Sequence, residues 1–284
     1  MAIPSTGPLS GTNINDEFPD SEDGGLPMQL SEYRGLTVSK NGQIFTIPQS
    51  PSPVSYSDFQ GVIYAYEIQI WVVGGGGGGS SVVPGGGGGA GRLETGKFLL
   101  TPGTSHNIVV GNGGNPGFSG NQSRFGSLIT ALGGTAGTND KGGRSNFLGS
   151  ESSVDTEGGG GGGTGGPGIT PERPGTDGYG GVGTTISFPG FIKNIGGGGS
   201  GGKFVGGDPT GCVSRSPSGS DFGGGLGGWN RNSCSAGVDG TGGGGGGNGI
   251  SGGSPSRGGR GVVIVRNITL NTFQEFLTND TYTV

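Results

Sequence analysis

Ile68-Gln69-Ile70-Trp71-Val72-Val73-Gly74-Gly75-Gly76-Gly77-Gly78-Gly79 passes from a strand pattern into pure glycine without a break. In the first half, Glu67 and Gln69 alternate with Ile68, Ile70 and Val72, the period of two of a half-buried β-strand. Linkers are not bracketed by strands this apolar, so the glycine that follows is expected to be ordered. Gly261-Val262-Val263-Ile264-Val265-Arg266 is the matching strand near the other end of the chain. A first strand at 62–73 and a last at 261–266 predict a sandwich whose terminal strands meet across roughly 190 intervening residues. The fold class that follows is all-β: a small β-sandwich scaffold with long glycine-rich insertions.

Between those strands, glycine runs (74–79, 85–89, 158–163, 196–199, 242–247) alternate with islands of ordinary sequence. Polyglycine II, an extended threefold helix without internal hydrogen bonds, is the ordered form open to such runs. With no side chains to separate them, several such helices pack closely and satisfy each other's N–H and C=O groups. A run like 158–168 would then extend for about 30 Å, and the islands would be loops at the ends of the bundle. Some islands read as strands: 97–100, 105–110 after a Pro102-Gly103 turn, and 127–132. Upstream, Thr37-Val38 and Gln43–Ile47 flank Asn41-Gly42, the strongest short hairpin signal.

Composition explains why an unusual lattice is needed. Glycine supplies 77 of 284 residues and proline 17, and hydrophobic residues only 27%. A conventional core would bury too little to offset the backbone entropy that each glycine loses. Net charge is −5, and with no basic cluster the chain lacks the electrostatic footprint of a nucleic-acid binder. Acidic charge is concentrated before residue 33, at Asp16, Glu17, Asp20, Glu22, Asp23 and Glu32, with no Lys or Arg among them. Three pieces follow: an N-terminal leader 1–36, a glycine-rich β domain 37–266 and a C-terminal tail 267–284. The leader reads equally as a solvated acidic tail or as a docking segment. Met1–Thr6 has neither the basic start nor the apolar stretch of a signal peptide.

Catalytic and metal motifs are matched only trivially. GxGxxG arises from glycine content alone, without the strand–helix context and following acid of a dinucleotide site. Gly91–Phe98 resembles a phosphate-binding loop but carries Phe98 where Ser or Thr must hold magnesium. Gly198-Gly199-Ser200-Gly201-Gly202 fits GxSxG through glycine alone. The single histidine, His106, sits in an alternating strand and reads as a strand-face residue. Glu151, Asp155, Glu157, Glu172 and Asp177 have no apolar pocket to separate their pKa values. Cys212 and Cys234 are too few for a structural zinc site and read as reduced thiols or one loop-closing disulfide. No catalytic residue, cofactor or metal is expected, and the chain reads as a non-enzyme.

Aromatic residues punctuate the islands: Phe118, Phe125, Phe147, Tyr179, Phe188, Phe191, Phe204, Phe222 and Trp229. Each either plugs a gap on the bundle or is displayed at a loop tip. The island 203–241, with Arg215, Phe222, Trp229, Asn230 and Arg231, is the foremost candidate for display.

Two sets of residues resemble a known family. Met1-Ala2-Ile3-Pro4-Ser5-Thr6-Gly7-Pro8-Leu9-Ser10, followed by Gln29-Leu30-Ser31-Glu32-Tyr33-Arg34-Gly35, resembles the N-terminal module of tailed-phage virion proteins, notably those of marine cyanophages. It departs by carrying the acidic insert Asp16–Asp23. Residues 68–79, 102–114 and 261–266 resemble the glycine-rich domain of phage tail-fibre and tail-associated proteins. In the tip adhesin of T-even-type long tail fibres, layered polyglycine II helices carry receptor-binding loops. The resemblance implies a virion structural protein of tail fibre, baseplate or neck appendage, assembled in the host cytoplasm and present in several copies. It implies docking to other virion proteins through the leader, with Leu30, Tyr33 and Arg34 as candidates. It also implies contact with a host surface glycan or outer-membrane protein through islands 115–125, 137–157, 169–195 and 203–241. Tyr179, Arg215, Phe222, Trp229, Asn230 and Arg231 are the receptor candidates. The alternative is a capsid decoration or connector protein without a ligand.

Overall fold

The computed structural model of the chain describes residues 37–40, 43–46, 62–152, 158–170, 178–202, 219–228, 234–249 and 255–284. Thr37–Lys40 (β1) and Gln43–Thr46 (β2) pair antiparallel with Lys40 opposite Gln43, the register that a two-residue connection demands. Val62–Tyr64 (β3) lies on the other side of β1. The expected strand 62–73 is therefore two: it breaks at Ala65, and Tyr66–Val73 (β4) enters a different sheet.

That sheet joins β4 to Leu93–Leu100 (β5) on one side and to Val262–Asn267 (β11) on the other, with Thr272–Phe276 (β12) at the far edge. Val73 faces Val262 and Ile68 faces Asn267, so the two terminal strands do meet across the glycine-rich insertion. A second four-stranded sheet holds Ser105–Val109 (β6), Ser123–Phe125 (β7), Ile129–Ala131 (β8) and Asp280–Thr283 (β13), in the order β13-β6-β7-β8. Residues 267–284, set apart in the sequence as a tail, thus supply an edge strand to each sheet of the sandwich.

Ile68, Ile70 and Val72 of β4 and Val263 and Val265 of β11 meet Ile108, Phe125 and Ala131 of the second sheet in one core. The opposite face of β4 and β11 is covered near the bundle by a hairpin, Thr184–Phe188 (β9) and Phe191–Ile195 (β10). Because both faces are covered there, Val262, Val263, Ile264 and Val265 are all buried, the continuous apolar run of a doubly covered strand. Farther from the bundle, Glu67 and Gln69 are only half-buried, which is why β4 alternates.

The glycine runs form a polyglycine II bundle. N–H groups of Gly74 and Gly77 donate to Arg92 O and Gly89 O (3.0 and 2.8 Å). Those of Gly75 and Gly78 reach Asn121 O and Phe118 O (2.9 and 3.0 Å), and those of Gly76 and Gly79 reach Gly259 O and Ser256 O (2.9 Å each). Every third residue addresses the same neighbour, so the segment is a threefold helix. Its carbonyls accept from Gly134 and Gly137, from Gly114 and Gly117, and from Gly245. The helix is therefore enclosed by six neighbours among the described residues. Directions are mixed: 85–91 runs antiparallel to 242–248 but parallel to 159–162.

Two expectations need correction. The run 158–168 is not one rod: Gly163 N–H donates to Gly166 O (2.9 Å), and the chain folds back through Thr164. Nor are the islands only loops. Residues 118–121, 132–137, 223–228 and 256–259 are helices of the lattice, and 184–195 is the hairpin on the sandwich. Small side chains are admitted where they replace a backbone bond, as when Ser150 Oγ accepts from Gly160 N–H (2.9 Å) and donates to Ile169 O (2.9 Å).

One ion pair staples the bundle near the sandwich. Arg257 Nη1 and Nη2 donate to the two carboxylate oxygens of Asp239 at 2.9 and 3.1 Å, and Arg260 N–H donates at 2.9 Å. The Arg257 guanidinium foremost, with the Arg260 N–H, holds the Asp239 carboxyl below its usual 3.8, against the effect of burial. A lowered folded pKa adds stability above pH 3.8 that is lost as pH falls through the folded value. Both side chains are about half exposed, so the contribution is below about 1 kcal/mol. Asp239→Asn is expected to lower the melting temperature slightly at pH 5, and the deficit is expected to shrink as the pH is lowered from there. A deficit that does not diminish on acidification would count against this assignment.

Candidate functional site at the distal end of the bundle

The helices run out from strand ends and return to strand starts, which gives the molecule two unlike ends. Helix 74–79 leaves β4, turns at Ser80–Pro84 and returns as 85–91 into β5. Residues 111–114 leave β6, turn at 115–118 and return as 119–122 into β7. A chain of hydrogen bonds marks the far level: Gly158 N–H to Gly202 O (2.8 Å), Gly202 N–H to Gly85 O (2.7 Å), Gly85 N–H to Asn248 O (2.8 Å), and Asn248 N–H to Ser80 O (3.1 Å). Segments 153–157, 171–177, 229–233 and 250–254 are flanked on both sides by lattice residues at this end, and 203–218 departs from it. Threefold extended helices with short turns alternate direction, so every second connection must fall at the end opposite the sandwich.

At this distal end Phe118 is 69% exposed and Val82 48% exposed. Lys141 Nζ pairs with Glu151 Oε1 at 2.8 Å, tying two helices together. The Lys141 ammonium is raised above its usual value by its hydrogen bond and charge contact with Glu151. Asn248 is buried: its Nδ2 donates to Ser81 O (3.3 Å), while its Oδ1 has no partner among the described residues. Cys234 Sγ lies 2.9 Å from Gly247 O, and Cys212 lies outside the described residues.

The sequence candidates are distributed unevenly over this frame. Trp229, Asn230 and Arg231 lie outside the described residues, as does Arg215. Their described neighbours Gly228 and Cys234 are at the distal end, where Gly228 N–H donates to Gly247 O (2.9 Å). Tyr179 is half-buried in a lattice helix, its carbonyl accepting from Ile169 N–H (2.8 Å). Phe222 is at the other end. It closes a 3-10 turn, Gly219–Phe222, beside β10, where Asn194 Nδ2 donates to Asp221 O (3.3 Å). Helix 223–228 separates it from Gly228 by about 19 Å. Leu30, Tyr33 and Arg34 lie outside the described residues.

His106 belongs to the sandwich. Its ring stacks on Phe125 (centroids 5.0 Å apart), and burial lowers its pKa. Among the described residues no group of three His, Cys, Asp or Glu is placed to hold a metal ion. Sequence reading missed the aromatic hairpin, although Thr184–Ile195 offered a signal. Phe188 and Phe191 flank Pro189-Gly190, a turn in which Gly190 takes φ +82°, the second central position of a type II turn.

A family model for a glycine-rich domain matches residues 55–267. That range runs from just before β3 to the last residue of β11 and leaves the two C-terminal edge strands outside. No curated protein and no solved structure matches the chain.

Proposed function

The chain belongs to the glycine-rich domain family, and from that premise we propose that it is a virion structural protein of a tailed phage. In this reading it sits in the tail fibre, baseplate or neck appendage, with the sandwich and leader toward the particle and the distal end of the bundle toward a host surface. It acts by binding, not catalysis. The observation that carries the reading is the two-ended architecture: the glycine helices turn back at the end opposite the β scaffold, where the turns Ser80–Pro84 and 115–118 expose Val82 and Phe118. The leader resemblance supplies the phage assignment, and the ligand class is a surface glycan or outer-membrane protein.

Binding energy at such a tip must reside in a few large side chains, because glycine offers little area to bury. Trp229→Ala is expected to reduce adsorption of particles to host cells about tenfold or more, equivalent to ~1.4 kcal/mol, with little change in melting temperature. A lowered melting temperature with normal adsorption would place Trp229 in a packing role. Normal values for both would favour the alternative reading, a capsid decoration or connector protein.

A further inference from the structure

The face of the sandwich covered by the β9–β10 hairpin carries an aromatic cluster that is incompletely buried. Trp71 stacks on Phe188 (5.3 Å, 17°), Phe188 stacks on Phe191 (4.8 Å, 13°), and Phe273 of β12 meets both at a steep angle. Trp71, Phe188 and Phe191 are each only partly buried, and Phe273 is 47% exposed. A cluster of four aromatic rings left partly open to solvent is a candidate interaction surface.

Its charge is unbalanced. Glu67 is paired with Lys97 and Glu275 with Lys193. Arg266 lies over the Phe188 ring, 5.0 Å from its centroid, and has no carboxylate partner among the described residues. An occupant must therefore bring an anion together with apolar surface. The central Phe188 ring already stacks with both Trp71 and Phe191, which leaves it chiefly edges and aliphatic neighbours to offer. Those suit peptide side chains better than a sugar ring, which needs an open aromatic face.

One segment of this chain has that chemistry. Asp16-Glu17-Phe18-Pro19-Asp20-Ser21-Glu22-Asp23 combines five carboxylates with Phe18 and no cation. Its tether also ends in the right place. Residue 37 begins β1, β1 pairs with β3, and β3 leads through Ala65 into β4, where Gln69 lies opposite Arg266. Tyr64 and Gln69 are five residues apart and so at most about 17 Å from each other. The 14 residues from Asp23 to Thr37 can span up to about 46 Å. We propose that residues 16–23 dock in cis on this aromatic face, with their carboxylates facing Arg266 and Phe18 supplying the apolar contact. The docking is independent of whatever the distal end binds.

The test uses the full chain with Trp229→Phe throughout, so that Trp71 is the reporting tryptophan. Neutralising the leader (Asp16→Asn, Glu17→Gln, Asp20→Asn, Glu22→Gln, Asp23→Asn) is expected to raise acrylamide quenching of Trp71 at least twofold. Arg266→Gln should do the same, and combining the two should add nothing. Salt at 0.5 M should reproduce the effect in the unaltered leader, because the attraction is screened. The leader substitutions leave every described residue in place, so a folding defect cannot mimic the result. Unchanged quenching on neutralisation, or additive effects of the two changes, would overturn the proposal. Protection that is lost on dilution would assign the contact to a second copy, and protection that needs added polygalacturonate would assign it to an acidic glycan. Either outcome overturns docking in cis.

Discussion

Gly77→Ala is expected to abolish cooperative folding of the glycine bundle. A Cβ at this position would stand 2.0 Å from Thr135 O and 2.4 Å from its carbonyl carbon. Both atoms are backbone, so no rotamer change relieves the clash. The helix cannot move aside either, since Gly77 N–H is bonded to Gly89 O and Gly77 O to Gly245 N–H. A shift that cleared one neighbour would close on another. The cost should exceed about 4 kcal/mol, a range reserved for gross overpacking or network loss. Gly103→Ala is the control: nothing lies within 4 Å of its Cβ, and only its φ of +77° is unfavourable, worth about 1–2 kcal/mol. Denaturant melts of the two variants compare steric exclusion with backbone strain. A Gly77→Ala protein melting within a few degrees of the parent would mean that the lattice is looser than its hydrogen bonds imply.

Phe125→Ala is the second large effect and tests the other source of order. Phe125 is fully buried in the sandwich core with Ile68, Ile70, Val263 and Val265. Its ring touches those of His106 (5.0 Å) and Tyr282 (5.9 Å), which joins β7 to β6 and β13. Truncating a buried phenylalanine costs about 3–5 kcal/mol through lost transfer energy and the cavity left behind. Phe118, seven residues earlier in the same island, is 69% exposed at the distal turn. Phe118→Ala should change stability by less than about 0.5 kcal/mol. If the two variants melt alike, the sandwich is not what anchors the bundle.

That pair shows where sequence reasoning reaches its limit. Both phenylalanines sit in one glycine-flanked island, and composition treats them alike. The chain reverses direction between them, carrying Phe118 on the turn and Phe125 on the returning strand. The same limit hid the hairpin 184–195, whose alternation was legible but whose long glycine-rich neighbours made the island look like a loop.

What the sequence determined by itself was local or strongly apolar. The alternation of Glu67–Val73, the run Val262–Val265 and the Asn41-Gly42 signal predicted the strands, the closing pair β4–β11 and the first hairpin. Glycine content predicted polyglycine II, because chains rich in residues without Cβ can pack closely enough that N–H groups at every third position reach a neighbour. Tertiary structure alone decided which runs are neighbours, which are parallel, and which end each island faces. It also drew residues 267–284 into both sheets as edge strands. Glycine has no side chain with which to specify a partner. The order of the lattice is set instead by the lengths between turns and by the strands to which each helix is fastened, a long-range constraint that no window of sequence contains.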